Sequence, residues 1–187
     1  MEETLFVKGE IISGQTCISN KNMIHELEQK GYGEIEKEKL FLKQFETLYL
    51  LYAKRLILKK GKKQIDFNSF MNISQKLDAE ILTKFLIYRD LRNRGYVVKD
   101  GFGFGYDFRV YERGHFGEKG AKFLIFGLNE GQQVKMGNLQ KKIEEITQMG
   151  KEPIIAVIER RGEVIYYKIN RINFYENKAR LEESFQF

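Results

Sequence analysis

Tyr111 stands where a strand-end catalytic group would stand. It closes the segment YDFRVY, whose alternation predicts a strand over residues 107–111, and a glycine-bearing loop follows. A phenol held there is a candidate for proton transfer, and the plainer alternative is a strand anchor with its hydroxyl in water. His115, four residues on, is a second group able to exchange a proton near neutral pH, although a histidine among glycines also fits simple solvation. His25 falls on a predicted helix and reads as structural. With Cys17 the one cysteine and these the two histidines, the chain offers neither an internal disulfide nor a soft-ligand metal site. Gly101, Gly103 and Gly105 lack the strand-to-helix context of a dinucleotide fingerprint and read as a flexible turn.

The elements that must position these groups are legible as alternation and helical spacing. Residues 4–12 and 16–19 predict short strands around a Ser13-Gly14 turn. Asn20 caps a helix running to Lys30, and Gly31 stops it. Residues 33–42 suit a hairpin. Phe45, Leu48, Leu51 and Tyr52 predict a helix over 45–57, and a second covers 66–75. The pattern changes near Leu77, where a domain boundary is placed. A periodic helix over 79–94 turns Ile81, Phe85, Tyr88 and Leu91 inward, and Gly95 ends it. Strands follow over 96–99, 107–111 and 122–128, then a helix over 136–149. Two further strands, 154–159 and 163–169, are joined by Arg160, Arg161 and Gly162. The expected fold class is α/β (α+β), with a small N-terminal α/β domain over 1–77 and a second domain over 78–187 built on a mixed central sheet flanked by helices.

Composition bounds the class. A hydrophobic content of 42% with 13% aromatics supports a folded core rather than disorder, and no apolar run reaches the ~18 residues of a membrane span. Glu2 and Glu3 stand where a signal peptide would carry basic residues, so a cytoplasmic protein is expected. The net charge of +6 comes from 32 basic against 26 acidic residues. That balance permits a polyanionic partner but also describes a Lys/Glu-rich surface.

The run YRDLRNRGYVVKDG followed by YDFRVYERG resembles the start of the C-terminal domain of archaeal tRNA-splicing endonucleases. The similarity continues upstream through GYGEIEKEKLFLKQFETLYLL and downstream through PIIAVIERRGEVIYYKI. The resemblance implies a nuclease-like C-terminal domain and metal-independent cleavage of precursor tRNA at a bulge-helix-bulge, with no cofactor. Cleavage of that kind leaves a 2′,3′-cyclic phosphate and a 5′-hydroxyl. The 2′-hydroxyl must lose a proton, charge at phosphorus must be stabilised and the leaving oxygen must gain a proton. The family gives these tasks to a tyrosine, a lysine and a histidine.

The family tyrosine falls on Tyr111 and the lysine on Lys151, which also suits a helix-terminal lysine facing the macrodipole. The histidine position, three residues before Phe123, is Gly120. An arginine that stacks on a bulged base in the family corresponds to Glu144, which has neither the planar cation nor the sign for that task. The resemblance therefore implies a non-catalytic, structural subunit with a catalytic partner, in an α2β2 hetero-oligomer. Glu159, Gly162 and Glu163 correspond to the family's acidic docking loop, diluted here by two arginines. Ile165, Tyr167, Ile169 and Ile172 form an apolar stripe on the strand that pairs between subunits in the family, and an internal core strand is the alternative. Arg89, Arg92, Arg94, Arg109 and Arg113 are candidates for phosphate contact, while Arg92 and Arg94 equally suit ion pairs on an exposed helix. Three functions remain open: the structural subunit, a cutting subunit using Tyr111, His115 and Lys151, and an RNA-binding assembly module outside splicing.

Overall fold

The computed structural model describes residues 6–101, 105–133 and 136–170. Residues 4, 5, Gly103 and Ile172 of the expectations above lie outside them. Strands β1 (Val7–Ile12) and β2 (Gln15–Ile18) pair antiparallel, turning at Ser13 and Gly14. Helix α1 (Lys21–Gln29) starts where Asn20 Oδ1 accepts the Met23 N–H at 3.2 Å, which satisfies one of the helix's orphan donors. Gly31 follows it at a φ of 74°, and a β-carbon there would collide with Val97 Cγ1. Only glycine meets both demands. Strands β3 (Glu34–Glu36) and β4 (Lys39–Leu42) form the expected hairpin, with Ile35 opposite Leu40.

The helix expected over 45–57 is corrected. Helix α2 spans Gln44–Tyr52, Lys54 turns into the left-handed region at a φ of 55°, and the Arg55 N–H closes on Leu50 O at 2.8 Å. The chain leaves the helix because its apolar period changes from that of Phe45, Leu48 and Tyr52 to that of Leu56 and Leu58. The new period belongs to β5 (Leu56–Lys60), parallel to β1 and antiparallel to β6 (Lys63–Ile65). Helix α3 (Phe67–Leu77) is capped by Asp66, which accepts from the Ser69 N–H at 2.7 Å. The first sheet has the order β3-β4-β2-β1-β5-β6.

Helix α4 (Ile81–Asn93) buries Ile81, Phe85, Tyr88 and Leu91. After it come β7 (Val97–Asp100), β8 (Phe108–Tyr111), β9 (Phe123–Asn129), α5 (Met136–Gln148), β10 (Glu152–Ile158) and β11 (Val164–Lys168). They form the sheet β11-β10-β9-β8-β7, in which β9 and β10 are parallel and joined by the α5 crossover. One core runs from Val7 through Tyr88 and Phe108 to Ile158, and a smaller cluster of Leu124, Phe126 and Ile146 lies under α5. The architecture is the mixed α+β one expected. No helix among the described residues is long and apolar enough to cross a membrane.

Polar contacts tie the first sheet to the second. Lys99 Nζ donates to Gly33 O at 2.6 Å, and Tyr49 Oη donates to Asn93 Oδ1 at 3.1 Å. Arg92 lies 3.9 Å from the Tyr32 ring centroid and donates to Lys30 O at 3.0 Å. It is therefore a clasp rather than a solvated helix-face charge, whereas Arg94 pairs with Asp90 at 2.7 Å. Glu46 is buried and accepts from the Gly33 and Lys43 N–H groups. Burial lifts its carboxyl above the ordinary range, and those two bonds act against the lift.

Candidate functional site

Strand directions decide what meets at the end of the second sheet. Because β8 runs against β9 while β9 and β10 run together, the C-terminal end of β8 adjoins the starts of the other two. The Lys122 N–H donates to Val110 O and the Glu152 N–H to Lys122 O, both at 2.9 Å. Tyr111 and Lys151 thus flank Lys122 across three neighbouring strand ends, with roughly 10 Å between the outer backbones at ~4.8 Å per strand spacing. Alternation puts Tyr111 on the face of Arg109, opposite the buried Phe108 and Val110.

The loop from Tyr111 to Lys122 is built of turns. The His115 N–H donates to Glu112 O, and His115 O accepts from both Glu118 and Lys119. Lys122 Nζ pairs with Glu112 Oε1 at 2.8 Å, closing the base of the loop. The same bond holds the Glu112 carboxyl below its usual range and the Lys122 amine above its own. Phe116 then meets the Tyr111 ring edge-on at 5.0 Å and stands over Gly31. His115 Nδ1 faces away from water, 3.6 Å from Glu118 Oε2, with no hydrogen bond.

Lys151 follows the C-terminus of α5, and its N–H donates to Ile146 O at 3.1 Å. Its amine points toward Gly120, where an added β-carbon would stand 3.3 Å from Nζ. Tyr111, Gly120 and Lys151 therefore share one end of the sheet. Glu144 lies on α5 and accepts from Gln140 at 3.2 Å.

Residues matching the description "tRNA intron endonuclease, catalytic C-terminal domain" span 81–166, and those matching "tRNA intron endonuclease, N-terminal domain" span 7–71. This chain belongs to the tRNA intron endonuclease family. Among its relatives, a protein of Methanococcus maripaludis is 33% identical over 81% of this chain and 86% of its own length. One of Thermococcus kodakarensis is 32% identical over 87% and 97%, and one of Pyrococcus furiosus is 30% identical over 78% and 84%. All three are described as tRNA-splicing endonuclease.

Other positions singled out in this endonuclease-family chain are dispersed. Arg109 Nε donates to Asp100 O at 3.0 Å, and Arg113 lies 4.7 Å from the Tyr96 ring. Arg89 lies over Tyr52 and Phe85. Glu159 and Glu163 bracket a turn in which the Gly162 N–H donates to Glu159 O, with Gly162 at a φ of 79°. Arg160 folds back on Glu130, with contacts of 3.1 Å from its N–H and 3.7 Å from its guanidinium. One of the two diluting arginines is thus matched by a carboxylate outside the turn. This turn sits at the far end of β10 from Lys151, roughly 20 Å away at ~3.3 Å per residue.

Among the described residues, strand β11 is the outer strand of its sheet. Val164 and Tyr166 pack on the core while Ile165 and Tyr167 remain 36% and 50% exposed. Ile169 donates its N–H to Pro153 O at 3.1 Å. Sequence reading missed Phe116 as the residue that seats the loop, and the Glu112–Lys122 pair at its base. The only available signal was an acid and a lysine bracketing the glycines.

Proposed function

We propose that this chain is the non-catalytic, structural subunit of a tRNA-splicing endonuclease of archaeal, cytoplasmic type. The assembly removes introns from precursor tRNA at bulge-helix-bulge sites, leaving 2′,3′-cyclic phosphate and 5′-hydroxyl ends. The observation that carries this reading is Gly120. Its hydrogen stands beside the Lys151 amine at the sheet end where the resemblance expects an imidazole to protonate the leaving oxygen. General acid–base catalysis of that kind contributes about 10²- to 10⁴-fold. Glu144, in place of the base-stacking arginine, adds a second deficiency.

What remains suits assembly. Residues 1–77 serve as an assembly domain and 78–187 as the endonuclease-like domain. The Glu159 to Glu163 turn is too far from this chain's own Tyr111 to serve it, and in an α2β2 assembly it docks on the catalytic partner. Ile165 and Tyr167 lie on the outer strand β11 and Ile169 directly follows it, and a neighbouring edge covers them. Arg113, beside Tyr96 at the Tyr111 end, and Arg109, farther back along β8 where it donates to Asp100 O, are the residues assigned to RNA contact.

The test is a mixture of this chain with its catalytic partner on bulge-helix-bulge RNA in EDTA. Activity that survives Tyr111→Phe and Lys151→Ala in this chain supports the structural role, and activity lost with Tyr111→Phe contradicts it. One observation favours a second reading, in which this chain cuts with Tyr111 as base, His115 as acid and Lys151 as charge stabiliser. Phe116 folds the turn carrying His115 against Tyr111. On that reading His115→Ala abolishes cleavage as well.

A further inference from the structure

Residues 54–63, KRLILKKGKK, hold six cations and no acid. Removing those six from the chain's 32 leaves 26 cations against 26 acids, so the net charge of +6 equals the charge of this one segment. The fold concentrates it at a sheet edge. Among the described residues strand β6 is the outermost of its sheet, and the β5–β6 hairpin turns at Gly61 with Lys60 opposite Lys63 and Lys59 opposite Gln64. Lys59, Lys60, Lys62 and Lys63 are all exposed, and strand alternation sends Lys59 and Lys60 to opposite faces. Lys8 lies one strand inward, opposite Ile57. Lys8, Gly9, Glu10, Lys59 and Gly61 help line a recess of about 360 Å³ beside the hairpin.

None of these five lysines reaches an acid within ion-pair distance among the described residues, whereas Lys84, Arg94 and Lys122 pair with Asp78, Asp90 and Glu112. Like charges opposed on a hairpin repel, and a polyanion relieves that repulsion. The chemistry selects among polyanions. No aromatic ring occurs in residues 54–65, so there is no platform for stacking unpaired bases. A narrow ribbon with cations on both faces matches the deep, narrow major groove of an RNA duplex, whose two walls are phosphate. Such contacts position RNA without reading its sequence.

We infer that the β5–β6 hairpin holds the phosphate backbone of double-stranded RNA, namely the paired arms of the substrate away from the cut. The identity of that RNA rests on the endonuclease-subunit reading. Its test uses Lys59→Gln/Lys60→Gln/Lys62→Gln/Lys63→Gln, and the four-arginine counterpart, in the full chain assembled with the catalytic partner. Binding of labelled precursor tRNA is measured between about 50 and 200 mM KCl, and binding of a bulge-free RNA duplex is measured with this chain alone.

The glutamine variant is expected to lose about tenfold or more in affinity for both RNAs near 100 mM salt. Its plot of log affinity against log salt flattens by about two to four, at ~0.9 per lost phosphate contact. Arginine restores both, and melting temperature and assembly mass stay as in the wild type. Unchanged affinity and slope would overturn the inference. So would lost assembly with RNA affinity intact, which would make the hairpin a dock for an acidic protein surface. A wild-type mixture that fails to cut, with the slope change on plain duplex retained, defeats the subunit reading alone.

Discussion

Lys151 Nζ stands 3.3 Å from the place a β-carbon at Gly120 would occupy. The residue before β10 and the loop residue three before β9 therefore share one space, and in this chain the lysine amine occupies it without a side chain opposite. The backbone at Gly120 is in an ordinary conformation, and the amine is the far end of a flexible chain. A larger residue is tolerable if Lys151 gives by a few tenths of an ångström. Gly120→His is expected to fold with a melting temperature within about 4 °C of the wild type. On bulge-helix-bulge RNA it should gain cleavage, up to the roughly 10²- to 10⁴-fold that a general acid supplies. A folded variant with no gain would contradict Gly120 as the deciding position.

On the proposed assembly, the two faces of strand β11 separate stability from subunit contact. Tyr166 Oη donates to Asp90 Oδ2 at 2.8 Å, and burial first, then this bond, raises its phenol above the usual range. Tyr166→Phe is expected to cost about 1.5–3 kcal/mol, the range for a hydrogen bond to a charged group, read by urea denaturation. Tyr167 faces outward on the same strand. Tyr167→Asp should leave the denaturation midpoint of the isolated chain nearly unchanged and reduce the assembled mass in light scattering with the partner.

The sequence revealed elements wherever one period ran its full course. Ile81, Phe85, Tyr88 and Leu91 repeat through all of α4, and Asn20 marks the start of α1 by its own hydrogen bond. It misled at residues 53–57, because Leu56 and Leu58 continue an apolar run while changing its period, and Lys54 enters the left-handed region without a glycine to announce it. At the candidate site, Tyr111 and Lys151 were singled out through family motifs, and the fold places both at one end of the second sheet. Phe116 over Gly31 was not, because that contact joins residues 85 apart in the chain. The neutralisation of Arg160 by Glu130 is likewise a product of tertiary structure.

Glu46 gives the fold a pH signature. Its folded carboxyl titrates above the ordinary 4.5, so between 4.5 and that raised value the native state holds more protons than the unfolded chain. Stability from this group is therefore greatest below the unfolded value and falls as pH rises through the folded one. Glu46→Gln should flatten that part of the stability profile in urea melts taken upward from pH 4.5. It should also cost roughly 1–3 kcal/mol, since an amide can accept from only one of the Gly33 and Lys43 N–H groups.

Arg92 is expected to matter more than Arg94, although both lie at the end of α4. Arg92 joins the Tyr32 ring and Lys30 O of the first sheet's side, and Arg94 makes an exposed i,i+4 pair. Arg92→Ala should lower stability by about 1–3 kcal/mol, and Arg94→Ala by less than about 1 kcal/mol. Thermal denaturation of the two variants side by side reads the difference.

The most direct measurement is single-turnover cleavage of a labelled bulge-helix-bulge RNA in EDTA, by this chain alone and then with the catalytic subunit proposed as its partner. The structural-subunit account predicts no cleavage alone and cleavage in the mixture, with 2′,3′-cyclic phosphate ends. Cleavage by this chain alone, lost in Tyr111→Phe, would contradict it.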